Sequence, residues 1–173
     1  GVTTLALPFP TADGEQVLFT SRLSTRMQPW LAGHTVGDAT VLPASVLLEL
    51  ATRAGDHVGA TVVEEIAATA PLVLPERGGV HLQTRLDGPD KRGRRVFHVH
   101  ACPDEGDPAW TEVGRGVLGK RGLDADFDLR RWPPTQGDPV DPAEVYGPLA
   151  DAGLGLKADF RGLSRVWRAG ADL

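Results

Sequence analysis

One histidine, His34, lies in a segment whose residues are suited to proton transfer. It is followed by Gly37 and Asp38 and, nine residues on, by Pro43. A histidine with an ordinary pKa of about 6.5 is neutral near pH 7 and can accept a proton from a bound molecule. A single loop histidine is more often a hydrogen-bonded structural residue, so His34 becomes a candidate base only through the pattern around it.

Other polar residues in the chain are weaker candidates for chemistry. His98 and His100 face the same side of a strand and could in principle bind a metal, but no third ligand accompanies them. Glu64 and Glu65 are adjacent and would point to opposite faces of a strand. Cys102 has no activating cation nearby in the sequence. We therefore expect exposed strand histidines, an inert thiol and no metal site.

The elements that would position His34 are strands around one helix. Apolar residues at spacings of three and four predict a helix over residues 43–55, ending near Gly55 or Gly59. Residues 28–43 have no stable period and should form an ordered loop. Together these features predict an α+β fold in which a curved antiparallel sheet wraps around a central helix. Alternating and β-branched residues predict the strands of that sheet over residues 17–24, 62–73, 80–86, 96–101 and 110–118.

The last third of the chain is more irregular. Residues 121–140 are rich in proline, glycine and aspartate and should form a connecting segment. Asp141 should cap a helix that has Pro142 at its first position, with Glu144 able to reach back to the cap, and that ends at Gly153. A last strand is predicted over residues 160–166.

Several stretches carry a family resemblance in the order in which they occur. Residues 34–43 (HTVGDATVLP) have the histidine and the proline of a known active-site motif, in which a histidine is followed four residues later by glycine and nine later by proline. Together these stretches resemble the N-terminal part of dehydratase domains from modular type I polyketide synthases, and the similarity covers nearly the whole chain. The other matching stretches are residues 70–75 (APLVLP), 79–80 (GV), 110–111 (WT), 141–146 (DPAEVY) and 160–163 (FRGL).

The resemblance implies a hotdog fold, with this chain as the first half of a double hotdog. Residues 1–120 would be the N-terminal hotdog, residues 121–140 a linker, and residues 141–173 a helix and strand leading into a second hotdog that is missing here. It also implies a place in the multifunctional enzymes of antibiotic biosynthesis. The expected partners are an acyl carrier protein, the other synthase domains, the missing half and, as a dimer, a second copy.

The implied reaction is a lyase reaction, the loss of water from a β-hydroxyacyl thioester to give an enoyl thioester. The substrate would be carried on the phosphopantetheine of the carrier protein, and no further cofactor is expected. His34 would be the base, and backbone N–H groups at the start of the helix after Pro43 would stabilise the developing enolate. The residues expected to bind substrate are Gly37, Asp38, Leu42, Pro43, Ala44, Leu156 and Phe160.

The chain departs from the family pattern in several places. Asp38 stands where the motif has glycine, and Ala44 stands after the proline in place of another glycine. Residues 156–160 (LKADF) replace a segment that usually has tyrosine, glycine and proline before its phenylalanine, and a buried Lys157 would be costly beside an acyl chain. The family's acid, an aspartate four residues before glutamine or histidine, has no match in this chain. We therefore expect the chain alone to be slow or inactive.

Three functional hypotheses follow. The chain is part of an active dehydratase, or it is a degenerate and catalytically inactive domain that serves as scaffold in a synthase module. A single-hotdog acyl-binding or thioesterase-like homodimer is the least favoured of the three. Related reactions that use the same histidine, such as double-bond migration or ring closure, stay open, as do substrate length and stereochemistry.

The composition sets outer limits on function. The net charge of −5 comes without a concentrated basic patch, apart from a short basic turn at residues 91–95, so nucleic acid is not an expected partner. No apolar stretch approaches the length of a membrane span, and no leader is visible. One cysteine cannot form an internal disulfide. These features favour a folded protein of the cytoplasm.

Overall fold

The computed structural model describes residues 8–12, 14–106, 109–120, 122, 132 and 137–168. Its main element is a six-stranded antiparallel sheet. In their order across the sheet, the strands are β1 (Phe9–Pro10), β2 (Val17–Leu23), β6 (Val80–Leu86), β7 (Arg95–Pro103), β8 (Thr111–Gly119) and β5 (Val62–Ala68).

The inner face of this sheet is apolar because the strands alternate as predicted. In β6, Val80, Leu82 and Leu86 are each 1% exposed or less, whereas His81 between them is exposed. Phe97 of β7, also fully buried, pairs with Leu86 across the strands. The alternation places one continuous hydrophobic layer on the side of the sheet that receives the helix.

Helix α1 (Ala44–Val58) packs against that layer. Its apolar stripe, which includes Leu47, Leu50 and Ala54, is buried, and the backbone ends the helix at Gly59 in the left-handed conformation. Gly114 of β8 allows the close approach of the helix, since a Cβ there would lie 2.8 Å from Leu47 Cδ1. The sheet wrapped around a buried helix confirms the predicted α+β hotdog architecture.

Two predicted segments around the helix need correction. The strand predicted over residues 62–73 ends at Ala68, because the chain then leaves the sheet and Leu72 and Leu74 exchange backbone hydrogen bonds with Leu42 and Thr40. The loop predicted over residues 28–43 contains regular structure. It holds a 3-10 helix (Pro29–Gly33) and the hairpin of β3 (His34–Val36) and β4 (Ala39–Thr40).

The C-terminal part adds a small layer beside β3. Strand β9 (Asp138–Val140) precedes helix α2 (Pro142–Asp151), in which the Asp141 carboxylate accepts from the Ala143 N–H at 2.9 Å. The predicted cap is thus present, although the helix ends two residues before Gly153. Strand β10 (Leu154–Leu156) then pairs with β3, and β11 (Val166–Arg168) pairs with β9.

The prediction of a strand over residues 160–166 is wrong. A 3-10 helix (Ala158–Phe160) occupies its start, and regular strand structure resumes only at Val166. The segment between has no strand neighbour, and its Leu163 N–H donates to the Tyr146 hydroxyl instead. Most of the linker predicted over residues 121–140 lies outside the described residues, and its last three residues form β9. In the part of the chain that the structure describes, no helix is both long and apolar enough to cross a membrane.

Candidate active site

The His34 imidazole is held in one orientation by the backbone of its own hairpin. Its Nδ1 lies 2.8 Å from the carbonyl oxygen of Val41, and the Val41 N–H donates back to the His34 carbonyl at 3.1 Å. A carbonyl oxygen can only accept a hydrogen bond, so Nδ1 carries the proton. In the neutral imidazole, Nε2 then carries the lone pair that can accept a proton.

The Phe160 ring packs against this imidazole. The centroid of its ring lies 5.4 Å from that of His34 and 5.9 Å from that of Trp30. Gly33 makes this packing possible, because a Cβ at that position would lie 3.2 Å from Phe160 Cδ2 and 3.3 Å from Lys157 Cβ. The histidine therefore has an aromatic side chain on its flank and a hydrogen bond at Nδ1.

Strand β10 brings residues 154–160 to His34. Leu156 is the cross-strand partner of His34, and the Lys157 N–H donates to the Gly33 carbonyl at 2.9 Å. Leu156 and Phe160 are half-buried, whereas Lys157 is exposed. Lys157 is not buried, so the costly burial of a lysine beside an acyl chain does not arise. The change at residue 157 therefore places no desolvated charge next to His34.

The turn of the β3–β4 hairpin contains Gly37 and Asp38. Gly37 has a φ of +57°, and its N–H donates to the Gly153 carbonyl at 2.8 Å. No non-glycine residue in the described segments has a positive φ, and the Asp38 side chain is at the exposed tip. The glycine that this two-residue turn requires is thus supplied at residue 37, and aspartate at residue 38 fits without strain.

The start of helix α1 lies at the end of the same hairpin. Pro43 is buried with extended backbone angles at the N-cap position, Ala44 is the first helical residue, and no side chain caps the helix. Ala44 has helical backbone angles, so alanine is accommodated where the motif has glycine. The uncapped N–H groups and the positive end of the helix dipole make this end of α1 suited to a developing negative charge.

An apolar cleft of about 340 Å³ opens beside the helix start. The hydroxyl of Thr69, the polar side chain in its lining, donates to the Glu112 carbonyl at 2.8 Å and so offers no proton to the cleft. The cleft is suited to a hydrocarbon chain rather than to a polar ligand. Its lining consists of Val41, Leu42, Ala44, Leu47, Ala68, Thr69, Ala70, Pro71, Leu72 and Val113.

The predicted site residues thus fall in one region. Val41 joins them, because it binds the His34 ring and also lines the cleft with Leu42 and Ala44. Leu156 and Phe160 flank the histidine. Gly37 and Asp38 form the hairpin turn directly after β3, the strand that begins at His34.

Family comparison places this arrangement among known proteins. A family model described as the polyketide synthase dehydratase domain matches residues 4–102. The chain belongs to this family. It is 44% identical to polyketide synthase GfsE of Streptomyces halstedii over 100% of the chain, which covers 5% of that protein.

Solved dehydratase structures share the fold. The chain is 40% identical to the dehydratase domain from the terminal module of the rifamycin polyketide synthase, with a TM-score of 0.87, and 35% identical to the erythromycin dehydratase, with a TM-score of 0.85. The alignments cover 96% of this chain and 60% and 62% of those chains. The chain therefore spans less than two thirds of these solved domains and a small fraction of polyketide synthase GfsE.

The remaining candidate residues lie elsewhere in the chain. On the outer face of the sheet, His98 Nδ1 donates to Glu112 Oε2 at 2.9 Å, and its Nε2 lies 3.5 Å from Asp87 Oδ2. Its hydrogen bond to Glu112 holds the pKa of that carboxyl below its usual value. Cys102 is buried, and among the described residues no group of three ligating side chains could hold a metal ion. His98 is thus held between two carboxylates on the outer face, those of Glu112 and Asp87.

Sequence reasoning missed two residues that contact the segment beside His34, Arg161 and Tyr146. Arg161 Nε donates to the Leu156 carbonyl at 2.8 Å, and its guanidinium carbon lies 5.4 Å from the centre of the Tyr146 ring. Both lie in stretches that carry the family resemblance, but the sequence gives no sign that they meet. The predicted strand over residues 160–166 would have placed Arg161 differently.

Proposed function

We propose that this chain is the base-bearing N-terminal hotdog of a polyketide synthase dehydratase, with His34 as the base. The substrate would be a β-hydroxyacyl thioester on the phosphopantetheine of an acyl carrier protein, and the product an enoyl thioester. The observation that carries the proposal is the hydrogen bond from His34 Nδ1 to the carbonyl of Val41, because it leaves Nε2 free to accept a proton. Val41 is also one of the residues that line the apolar cleft.

In this mechanism, Nε2 of His34 removes the proton from the carbon next to the thioester carbonyl. The electron pair moves towards the carbonyl oxygen, where the N–H groups at the start of α1 stabilise the negative charge. The charge then returns to form the carbon–carbon double bond as the β-hydroxyl leaves. The acyl chain beyond the reacting carbons would occupy the apolar cleft.

The departing hydroxyl needs a proton, and the family's acid motif has no match in this chain. We propose that the acid comes from a second hotdog outside it, in the same synthase or in a partner polypeptide in the cytoplasm. No metal or redox cofactor takes part in this mechanism. Loss of a general acid typically slows such a reaction about 10²–10⁴-fold, so the chain alone should turn over slowly or not at all.

A degenerate scaffold domain is the second candidate. It is favoured by the changes at Leu156, Lys157 and Ala158, which alter three positions of a segment that lies beside His34. The exposure of Lys157 and the turn glycine at residue 37 argue for the catalytic alternative, because neither departure disturbs the histidine.

The test joins this chain to the part of the rifamycin dehydratase domain that it does not cover. The fusion, the chain alone and their His34→Ala variants are given a β-hydroxyacyl thioester on a carrier protein or a pantetheine mimic, and enoyl product is measured. His100→Ala is the control, because that histidine lies on the outer face of the sheet.

We expect a fusion at least about 10²-fold faster than the chain alone, with His34→Ala removing the gain and His100→Ala leaving it unchanged. A folded fusion without turnover would favour the scaffold function. Rapid turnover by the chain alone that depends on His34 would mean that a residue of this chain, such as Asp38, serves as the acid.

A further inference from the structure

The side chain of Arg161 hydrogen-bonds to the backbone of residues 154–160, the segment that flanks His34. Arg161 Nε donates to the carbonyl oxygen of Leu156 at 2.8 Å, and Leu156 is the cross-strand partner of His34. This hydrogen bond links residues on either side of the 3-10 helix Ala158–Phe160. The last residue of that helix, Phe160, packs against the imidazole of His34.

The other side of the Arg161 guanidinium faces helix α2. Its carbon lies 5.4 Å from the centre of the Tyr146 ring, and the Tyr146 hydroxyl accepts from the Leu163 N–H at 3.0 Å. No residue of α2 is fully buried, so these contacts lie at a partly exposed surface. An arginine suits this place because a planar guanidinium donates in its plane and stacks on an aromatic ring with its face.

We propose that Arg161 is a positioning residue for His34, an inference that rests on the proposed function of His34 as the base. Arg161 fixes the Leu156 carbonyl against α2, the 3-10 helix keeps Phe160 on the imidazole, and the packed ring keeps Nδ1 on the Val41 carbonyl. Arg161 touches no reacting atom in this scheme. Its effect on the reaction is to limit the orientations that His34 can adopt.

The test is nuclear magnetic resonance of this chain with ¹⁵N-labelled histidine, which needs no turnover. Two quantities are measured for His34: which ring nitrogen carries the proton, and how fast that proton exchanges with water. Exchange of Nδ1–H requires that the imidazole leave the Val41 carbonyl, so its rate reports the population of open states. Backbone amide exchange at the centre of β6 reports global unfolding in the same samples.

We expect Arg161→Ala to speed exchange of the His34 Nδ1–H about tenfold or more, the factor given by loss of one hydrogen bond from a charged donor. Exchange in β6 should stay within about twofold, which a general loss of stability would not allow. Arg161→Lys should recover part of the protection. Arg165→Ala is the matched control, because Arg165 lies in the same segment but contacts the Trp167 ring.

Unchanged imidazole exchange in a folded Arg161→Ala protein would overturn the positioning role. If that variant does not fold, Tyr146→Leu carries the test, since it removes the ring under the guanidinium, and unchanged exchange there has the same meaning. A wild-type imidazole with its proton on Nε2 would instead contradict the proposed function, whatever the Arg161 variants show.

Discussion

Replacing Thr84 with valine should stabilise the protein. Thr84 is 1% exposed on the inner face of β6, and its hydroxyl has no hydrogen-bond partner. Its cross-strand partners are Phe19 and Val99, which are also buried. The hydroxyl therefore gave up its bonds to water on folding and gained none in return, which costs about 1–3 kcal/mol.

Thr84→Val exchanges the hydroxyl for a methyl group of similar shape and keeps the branching at Cβ. The free energy of unfolding should rise by about 1–2 kcal/mol, equivalent to a rise of about 2–8 °C in Tm for a domain of this size. Thr84→Ser is the matched control. It keeps the hydroxyl and removes the methyl group, so the free energy of unfolding should fall by about 1 kcal/mol.

The assay is equilibrium unfolding in urea followed by tryptophan fluorescence, with the midpoint and the slope fitted separately for each protein. A higher midpoint at unchanged slope for the valine variant is the expected result. A midpoint equal to or below that of the wild type would mean that the Thr84 hydroxyl makes a hydrogen bond in the folded protein. That result would refute the prediction.

Three further predictions use the same unfolding assay. Leu50→Ala, which removes a fully buried side chain of α1, should lower the free energy of unfolding by about 2–5 kcal/mol; a loss under 1 kcal/mol would show that α1 is loosely packed. Gly37→Ala should cost about 1–2 kcal/mol because of the positive φ, whereas Asp38→Gly should be nearly neutral; equal effects would contradict the shifted turn glycine. The pKa of Glu112 is lowered in the folded state, chiefly by its hydrogen bond from His98, so its contribution to stability is present above the unfolded pKa of about 4.3 and is lost as the pH falls through the folded pKa. His98→Gln should flatten the decline in stability between about pH 5 and pH 3, and an unchanged slope there would remove Glu112 from the explanation.

The sequence predicted those parts of the fold in which one periodic signal dominates. Strand β6 (Val80–Leu86) was predicted to the residue, because its alternation is regular and its ends are marked by glycine and aspartate. Helix α1 was predicted within a few residues for the same reason. Both signals reflect burial on one face, which depends on local residue order alone.

The errors occur where backbone hydrogen bonds are made to side chains or to distant backbone. Residues 160–166 contain one aromatic and one β-branched residue and so carry little strand signal, and the Leu163 N–H donates to the Tyr146 hydroxyl rather than to a neighbouring strand. Strands β3 and β4 are too short to show a period, and β3 gains a partner, β10, more than 100 residues later in the chain. Such pairings cannot be read from local order.

For the site, the motif led to His34 and Pro43 but did not give the tautomer of the histidine or the contacts of Phe160. The hydrogen bond from Nδ1 to Val41 depends on how the hairpin closes, and that closure depends on the glycine at residue 37. The motif position of Asp38 suggested a damaged turn because the pattern compares residues one by one. The backbone of this turn needs glycine at residue 37, where φ is positive, and not at residue 38.

The strand order has a consequence for synthesis on the ribosome. Strand β2 ends at Leu23, but its partner β6 begins only at Val80, and β5 ends at Ala68 while its partner β8 begins at Thr111. At about 5–20 residues per second, several seconds pass between the synthesis of β2 and that of its strand partner β6. Strands β6, β7 and β8 follow one another in the chain and are neighbours in the sheet, so this meander should form as soon as it emerges. Strands β2 and β5 should then pair with its two edges. A nascent chain stalled before Gly119 would therefore be the form most in need of a chaperone.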